Sequence, residues 1–143
     1  MKYQNIIDNM TLKEKAAFLS GKSEWQTRDF PRLDIPAIFC SDGPNGVRKQ
    51  AGAGDHLGIN PAVPATCFPT AAAMANIWDE ELEQRVGVAL GEESMEEDVN
   101  VLLGPGLNIK RNPLCGRNFE YFSEDPYLSG KMAAAFIRGV QST

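Results

Sequence analysis

Histidine and cysteine are scarce in this 143-residue chain, which has one histidine, His56, and three cysteines, Cys40, Cys67 and Cys115. No two cysteines form a C-x-x-C pair, so the sequence offers neither a disulfide framework nor a Cys/His zinc site. No other cluster calls for a metal or an organic cofactor, and none is expected. No stretch approaches the roughly 18 uninterrupted apolar residues of a membrane-spanning helix, so no membrane partner is expected. Met1 to Met10 carry charge and amides rather than an apolar signal region. Export through this end is therefore not expected, and a reducing, cytoplasmic setting fits the thiols. Basic residues are missing where acidic ones crowd: residues 79–98 hold nine of the 19 acidic residues and one of the 14 basic ones. Such a face repels phosphates, which excludes nucleic acid as a partner. Internal repeats and low-complexity tracts are also lacking. What is present is ordinary for one globular domain: 43% hydrophobic and 23% charged residues with a net charge of −5. A chain of this length buries roughly 70% of its unfolded surface, enough for a real core.

Helices and apolar strands alternate along the chain. Thr11-Leu-Lys-Glu14 is a capping-box pattern that starts a helix with Leu12, Ala16 and Leu19 on one face, closed by Gly21. Pro31 to Pro36 reads as a linker. The continuous apolar run Ile35–Cys40 predicts a strand covered on both faces, as in a parallel sheet. Residues 43–70 are rich in Gly and Pro and read as a long loop of the kind kept for function. Asp79 is placed to cap a helix whose apolar stripe is Leu82, Val86, Ala89 and Leu90, with the acidic residues outward. Val99–Leu103 predicts a second strand, and residues 104–125 a second loop. Asp125-Pro126 opens a last helix with Leu128, Met132, Ala135, Phe136 and Val140 inward. The alternation predicts an α/β fold with right-handed crossovers, whose binding residues lie beyond the carboxyl ends of the strands.

Two loops occupy those positions. In the first, Asp42 follows the strand directly and Arg48 lies six residues on. A carboxylate accepts from two hydroxyls at once and a guanidinium donates through a planar fork, a pair suited to a polyhydroxylated ring. The alternative is that Asp42 only caps the turn at Gly43-Pro44 through its own backbone. In the second loop, Lys110, Arg111 and Arg117 face Glu120, Glu124 and Asp125. These charges either close an internal salt-bridge network or fix one arginine so that it points into a pocket. Gly104-Pro-Gly106 is no phosphate cradle, because Pro105 has no N–H and G-x-G-x-x-G is not completed. His56 has no paired nucleophile and reads as a surface residue. Phe119, Tyr121 and Phe122 are expected to be buried under the loop, with stacking on a ligand as the alternative.

The segments Ser41-Asp42-Gly-Pro-Asn-Gly-Val-Arg48 and Gly104-Pro-Gly-Leu-Asn-Ile-Lys-Arg111-Asn-Pro-Leu-Cys-Gly-Arg117-Asn-Phe-Glu120-Tyr-Phe-Ser-Glu124-Asp125-Pro resemble the N-terminal barrel of family 3 glycoside hydrolases. The likeness is to the β-glucosidase branch and runs from Met10 to Gln141. It implies a retaining, exo-acting enzyme that removes β-linked glucose from non-reducing ends of β-glucosides or oligosaccharides. It also implies substrate-binding roles for Asp42, Arg117 and Arg48, and supporting roles for Arg111, Glu120, Glu124 and Asp125. The family's aspartate nucleophile and acid/base glutamate match no residue here and are expected beyond Thr143. A complete (β/α)₈ barrel needs at least about 200 residues. Residues 1–143 are therefore expected to form an incomplete TIM-barrel-like unit, about the first three β/α units. The isolated chain is expected not to hydrolyse glycosides. An open sheet edge predicts self-association or assembly with the remainder of the enzyme. The alternatives are a non-catalytic carbohydrate-binding module and a complementing subunit.

Overall fold

The computed structural model describes residues 2–52, 54–55 and 59–143. Two short helices, α1 (Gln4–Asn9) and α2 (Leu12–Phe18), lead into a 3₁₀ turn at Pro31–Leu33 and strand β1 (Cys40–Asp42). After the first loop come α3 (Ala71–Met74), α4 (Glu80–Glu96), β2 (Val101–Leu103), a 3₁₀ turn at Asn118–Glu120 and α5 (Pro126–Val140). The strands pair in parallel, with Cys40 opposite Val101, Ser41 opposite Leu102 and Asp42 opposite Leu103. The fold is thus α/β, with parallel strands separated by helices.

Local hydrogen bonding fixes the helix starts. The Thr11 hydroxyl accepts from the Glu14 amide at 3.2 Å, and the Glu14 carboxylate accepts from the Thr11 amide at 2.8 Å, completing the capping box. Arg32 then donates to the same carboxylate at 2.6 Å and to the Asn9 carbonyl at 3.0 Å, tying the 3₁₀ turn to both helices. The Arg32 hydrogen bond, helped by those from Thr11, holds the Glu14 carboxyl down at about 2. Asp79 accepts from the Glu81 and Leu82 amides, both at 3.0 Å. Asp125 accepts from Tyr127 and Leu128 at 3.0 and 3.3 Å, with Pro126 in the first turn.

The strand expected at Ile35–Cys40 begins only at Cys40. Residues ahead of it pair backwards instead. Phe30 and Ile35 exchange amide–carbonyl bonds of 2.8 and 3.2 Å, and Thr27 donates to the Ile38 carbonyl at 2.9 Å. Pro36 has no N–H for a ladder, so this stretch stays outside the sheet. The double covering expected of this run is not observed either, since Ile38 keeps 41% of its surface exposed, and Val101 and Leu103 of β2 keep 41% and 45%.

The inner face of α4 also differs from expectation. Leu82 is exposed, whereas Glu83 is buried with Gly87, Leu90, Gly91 and Ser94. Backbone approach to α5 decides the rotation: a Cβ added to Gly87 would stand 2.5 Å from the Phe136 carbonyl oxygen, and one added to Gly139 would overlap the Gln84 carbonyl. Two helices that meet through glycines bury the faces carrying them, even where this draws in a glutamate. On α5 the expected stripe holds, with Met132, Ala135 and Phe136 buried and Leu128 and Val140 half-buried. The core has two parts: Ala71, Met74, Phe122 and Met132 under α3, and Val47, Leu90, Val99 and Phe136 beneath the strands. Full burial of Leu90 and Phe136 contributes roughly 1.5–3 kcal/mol each.

Candidate functional site

Because β1 and β2 are parallel and in register, their following loops leave from the same edge of the sheet. Between them lies a cleft of about 720 Å³. The first loop lines it with Asp42, Asn45, Gly46 and Arg48, and the second with Arg117, Phe119, Glu120 and Tyr121. The carboxylate and both guanidinium groups singled out in the sequence therefore share one cavity, rather than facing opposite sides of the sheet.

The first loop turns sharply to achieve this. The Arg48 amide donates to the Asp42 carbonyl at 2.8 Å, so the chain returns beside itself within six residues. The turn closes by backbone bonds, and the Asp42 carboxylate forms no hydrogen bond or ion pair with the described residues. Its acceptor sites are available to a ligand, and the turn-capping alternative is not what the geometry shows. Asp42 and Arg48 are both exposed at the cleft, while Val47 between them is buried in the core. That burial anchors the backbone from which Arg48 projects.

Arg117 precedes the 3₁₀ turn and forms an ion pair with Glu120, two residues whose side chains are 72% and 15% exposed. The hydrogen bond that Arg117 donates to Glu120 raises the Arg117 pKa further, so the guanidinium is cationic at every relevant pH. A parallel bridge between Gly106 and Tyr121 brings the end of the second loop back to its beginning. The Asn118 side chain braces the loop by donating to the Asn112 carbonyl at 2.9 Å.

The expected support of Arg117 is narrower in the structure. Glu120 provides it alone among the four residues named. Arg111 makes no ion pair with the described residues and lines a separate pocket of about 300 Å³ with Asn112, Cys115 and Tyr121. Glu124 is exposed and likewise unpaired among them. Asp125 is turned toward α5, where both its oxygens serve as the N-cap. The aromatic residues divide: Phe122 is buried at 4% exposure, but Phe119 stays 58% exposed on the cleft wall. His56 lies outside the described residues. Among the described residues, no group of histidine, cysteine and carboxylate side chains could hold a metal ion.

Sequence reasoning missed Glu83 as a chemically distinctive residue. It is 1% exposed, and its Oε2 is the one buried side-chain polar atom without a partner among the described residues. It borders a small apolar cavity with Pro44, Pro105, Val86 and Phe122, and burial pushes its carboxyl up to about 7. Pro44, Asn45, Pro105 and Gly106 separate this cavity from the larger cleft, since they line both.

Comparison with known proteins gives a consistent result. The family model described as Glycosyl hydrolase family 3 N terminal domain matches residues 7–143. Thermostable beta-glucosidase B of Acetivibrio thermocellus is 60% identical over 139 residues, covering 97% of this chain and 18% of that protein. An exo-alpha-(1->6)-L-arabinopyranosidase of Bifidobacterium longum is 47% identical over 137 residues, covering 95% of this chain and 18% of the relative. Among solved structures, beta-glucosidase 3B from Thermotoga neapolitana in complex with glucose superposes with a TM-score of 0.86 at 40% identity, over 99% of this chain and 22% of that one. The chain thus spans about a fifth of the length of the relatives it matches.

Proposed function

On the premise that this chain belongs to glycosyl hydrolase family 3, whose N-terminal domain matches residues 7–143, we propose that it is the sugar-gripping part of a retaining, exo-acting β-glucosidase. In this reading residues 1–143 form the first β/α units of the barrel, and the substrate is a terminal, non-reducing β-D-glucosyl residue. Asp42 accepts hydrogen bonds from two adjacent ring hydroxyls. Arg117, cationic and oriented by Glu120, donates to hydroxyls from the opposite wall, and Arg48 donates from beside Asp42. The observation that carries the reading is the Asp42 carboxylate, unpaired among the described residues, sharing one cleft with Arg117. The arabinopyranosidase relative supports a pyranoside substrate, with glucose favoured by the larger set of β-glucosidase names.

Retaining chemistry needs two carboxyl groups about 5–5.5 Å apart, one a nucleophile and one an acid/base. Of the carboxylates lining the cleft, Glu120 is bound to Arg117 and Asp42 is assigned to hydroxyls. Neither takes those roles here, and both catalytic groups come from elsewhere in the enzyme. Accordingly, the purified chain is expected to release no nitrophenol from an aryl β-glucoside. Glucose titration by calorimetry is expected to give weak, millimolar binding, lost at least tenfold in Asp42→Ala, as befits removal of a charged hydrogen-bond acceptor. Turnover by the chain, or wild-type affinity in the variant, would overturn the assignment.

A groove of about 230 Å³ along β2 and α5, walled by Val101, Leu102, Phe136, Ile137 and Val140, supports a second part of the proposal. An unpaired strand edge beside apolar side chains seeks another strand. We infer that this edge joins the rest of the barrel and makes the isolated chain self-associate. Sedimentation velocity is expected to show association that grows with concentration, and a monomer at all concentrations would refute it.

A further inference from the structure

Four ties hold the segment between Asp42 and Arg48 on the side away from the cleft, and two of them end on the last turn of α4. Glu93, half-buried near the end of that helix, accepts from the Thr66 amide at 3.3 Å and from the Thr66 hydroxyl. Thr66 in turn lies against Gly46: a Cβ there would overlap the Thr66 carbonyl oxygen, and the Gly46 φ of 141° is one that favours glycine. Two residues on, the Phe68 amide donates to the Asn45 carbonyl at 2.9 Å. Lys49 donates to the carbonyl of Glu97, the residue capping α4, and its ammonium stands 3.7 Å from the Glu97 carboxylate. A cation at that helix end is favoured by the backbone carbonyls it meets. Val47, buried in the core, is the remaining anchor.

Asn45 and Gly46 themselves form the cleft wall between Asp42 and Arg48. Their course is therefore set from behind by Thr66, and the course of Thr66 is set by Glu93. We propose that Glu93 is a positioning residue of the sugar cleft, holding Thr66 against Gly46 so that Asp42 and Arg48 project at a fixed spacing. This deepens the sugar-binding reading and rests on it for its functional consequence. A hydroxylated ring held by two groups on one loop loses affinity when the loop samples wider spacings, because ordering it again offsets part of the binding free energy. Thr66 is exposed, and losing its tie opens no part of the core. Glu93 thus affects loop position more than global stability.

The test measures amide hydrogen exchange in the full chain, together with glucose affinity by calorimetry. In Glu93→Ala, the Phe68 and Arg48 amides are expected to exchange about tenfold faster, through local opening, while buried amides of α5 keep their wild-type rates. Thr66→Val should give the same pattern, and adding it to Glu93→Ala should change little more. Glu93→Gln, which keeps an acceptor for Thr66, should recover most of the protection. Glucose should bind several-fold more weakly to Glu93→Ala than to wild type. Unchanged loop exchange in Glu93→Ala overturns the clamp whatever happens to glucose, and so does a uniform acceleration that includes α5. Faster loop exchange with undiminished glucose affinity overturns the positioning role. Absence of glucose binding by the wild-type chain counts against the sugar-binding reading, and the exchange rates at Phe68 and Arg48 then still decide whether Glu93 holds the loop.

Discussion

Replacing Glu83 by leucine is expected to stabilise the chain at pH 8 and to flatten its stability between pH 4.5 and 7. The carboxyl of Glu83 is buried among apolar side chains with one oxygen unpartnered among the described residues, and its folded-state value is raised from 4.5 to about 7. Burial in such surroundings disfavours the charged form. In the window between the two values the folded chain holds a proton that the unfolded chain has released. Stability therefore falls as pH rises from 4.5 through 7, then levels off with the carboxylate ionised inside. The full span corresponds to about 3 kcal/mol, and relaxation of the surroundings around the charged form reduces it to about 1–2 kcal/mol. For a chain of this size the leucine variant should melt about 5 °C higher than wild type at pH 8, with a smaller gain at pH 5. Glu83→Gln should also remove the slope, but keep a buried polar group and so gain less. Thermal melts of the three proteins across pH 4–8 check this, and a wild-type slope persisting in both variants would assign the titration to another group.

The second large effect is expected at the crossing of α4 and α5. Gly139→Ala places a methyl group on the Gln84 carbonyl, and Gly87 and the Val88 amide stand directly behind it. These are backbone atoms of a well-formed helix and cannot rotate away as a side-chain tip would. The helices must separate, which loosens Phe136 and Leu90, both almost completely buried. Overpacking of this kind costs about 1–3 kcal/mol or more. That outweighs the roughly 1 kcal/mol that alanine gains over glycine as a helix former. Gly130→Ala, on the same helix with nothing near the added Cβ, should instead be neutral or mildly stabilising. Urea denaturation of the pair separates the two cases, and equal stabilisation by both would show that the helices do not meet at Gly139.

What was legible in the sequence follows from the range of the forces involved. Thr11, Asp79 and Asp125 were readable as helix starts because each cap bonds to amides two or three residues away. The positions of Asp42, Arg48 and Arg117 were readable because loops after parallel strands emerge on one edge. The start of β1 was not, since it depends on which amides and carbonyls of the preceding segment are already engaged by Phe30 and Thr27. Nor was the face of α4, where two glycines distant in sequence choose the contact and draw Glu83 inside. The charges of the second loop were visible as a set, but only geometry separates Glu120, which meets Arg117, from Asp125, which caps a helix. Phe119 and Phe122 carry the same side chain three residues apart, yet one lines the cleft and the other fills the core.

The in-register pairing of β1 with β2 bears on how steady the proposed sugar grip can be. Asp42 stands at the end of one strand, opposite Leu103 at the end of the other. Thermal jostling that displaces this short ribbon carries the roots of both loops along together. The gap between the opposing walls then fluctuates less than the location of either wall in space, as the span of a caliper survives being carried about.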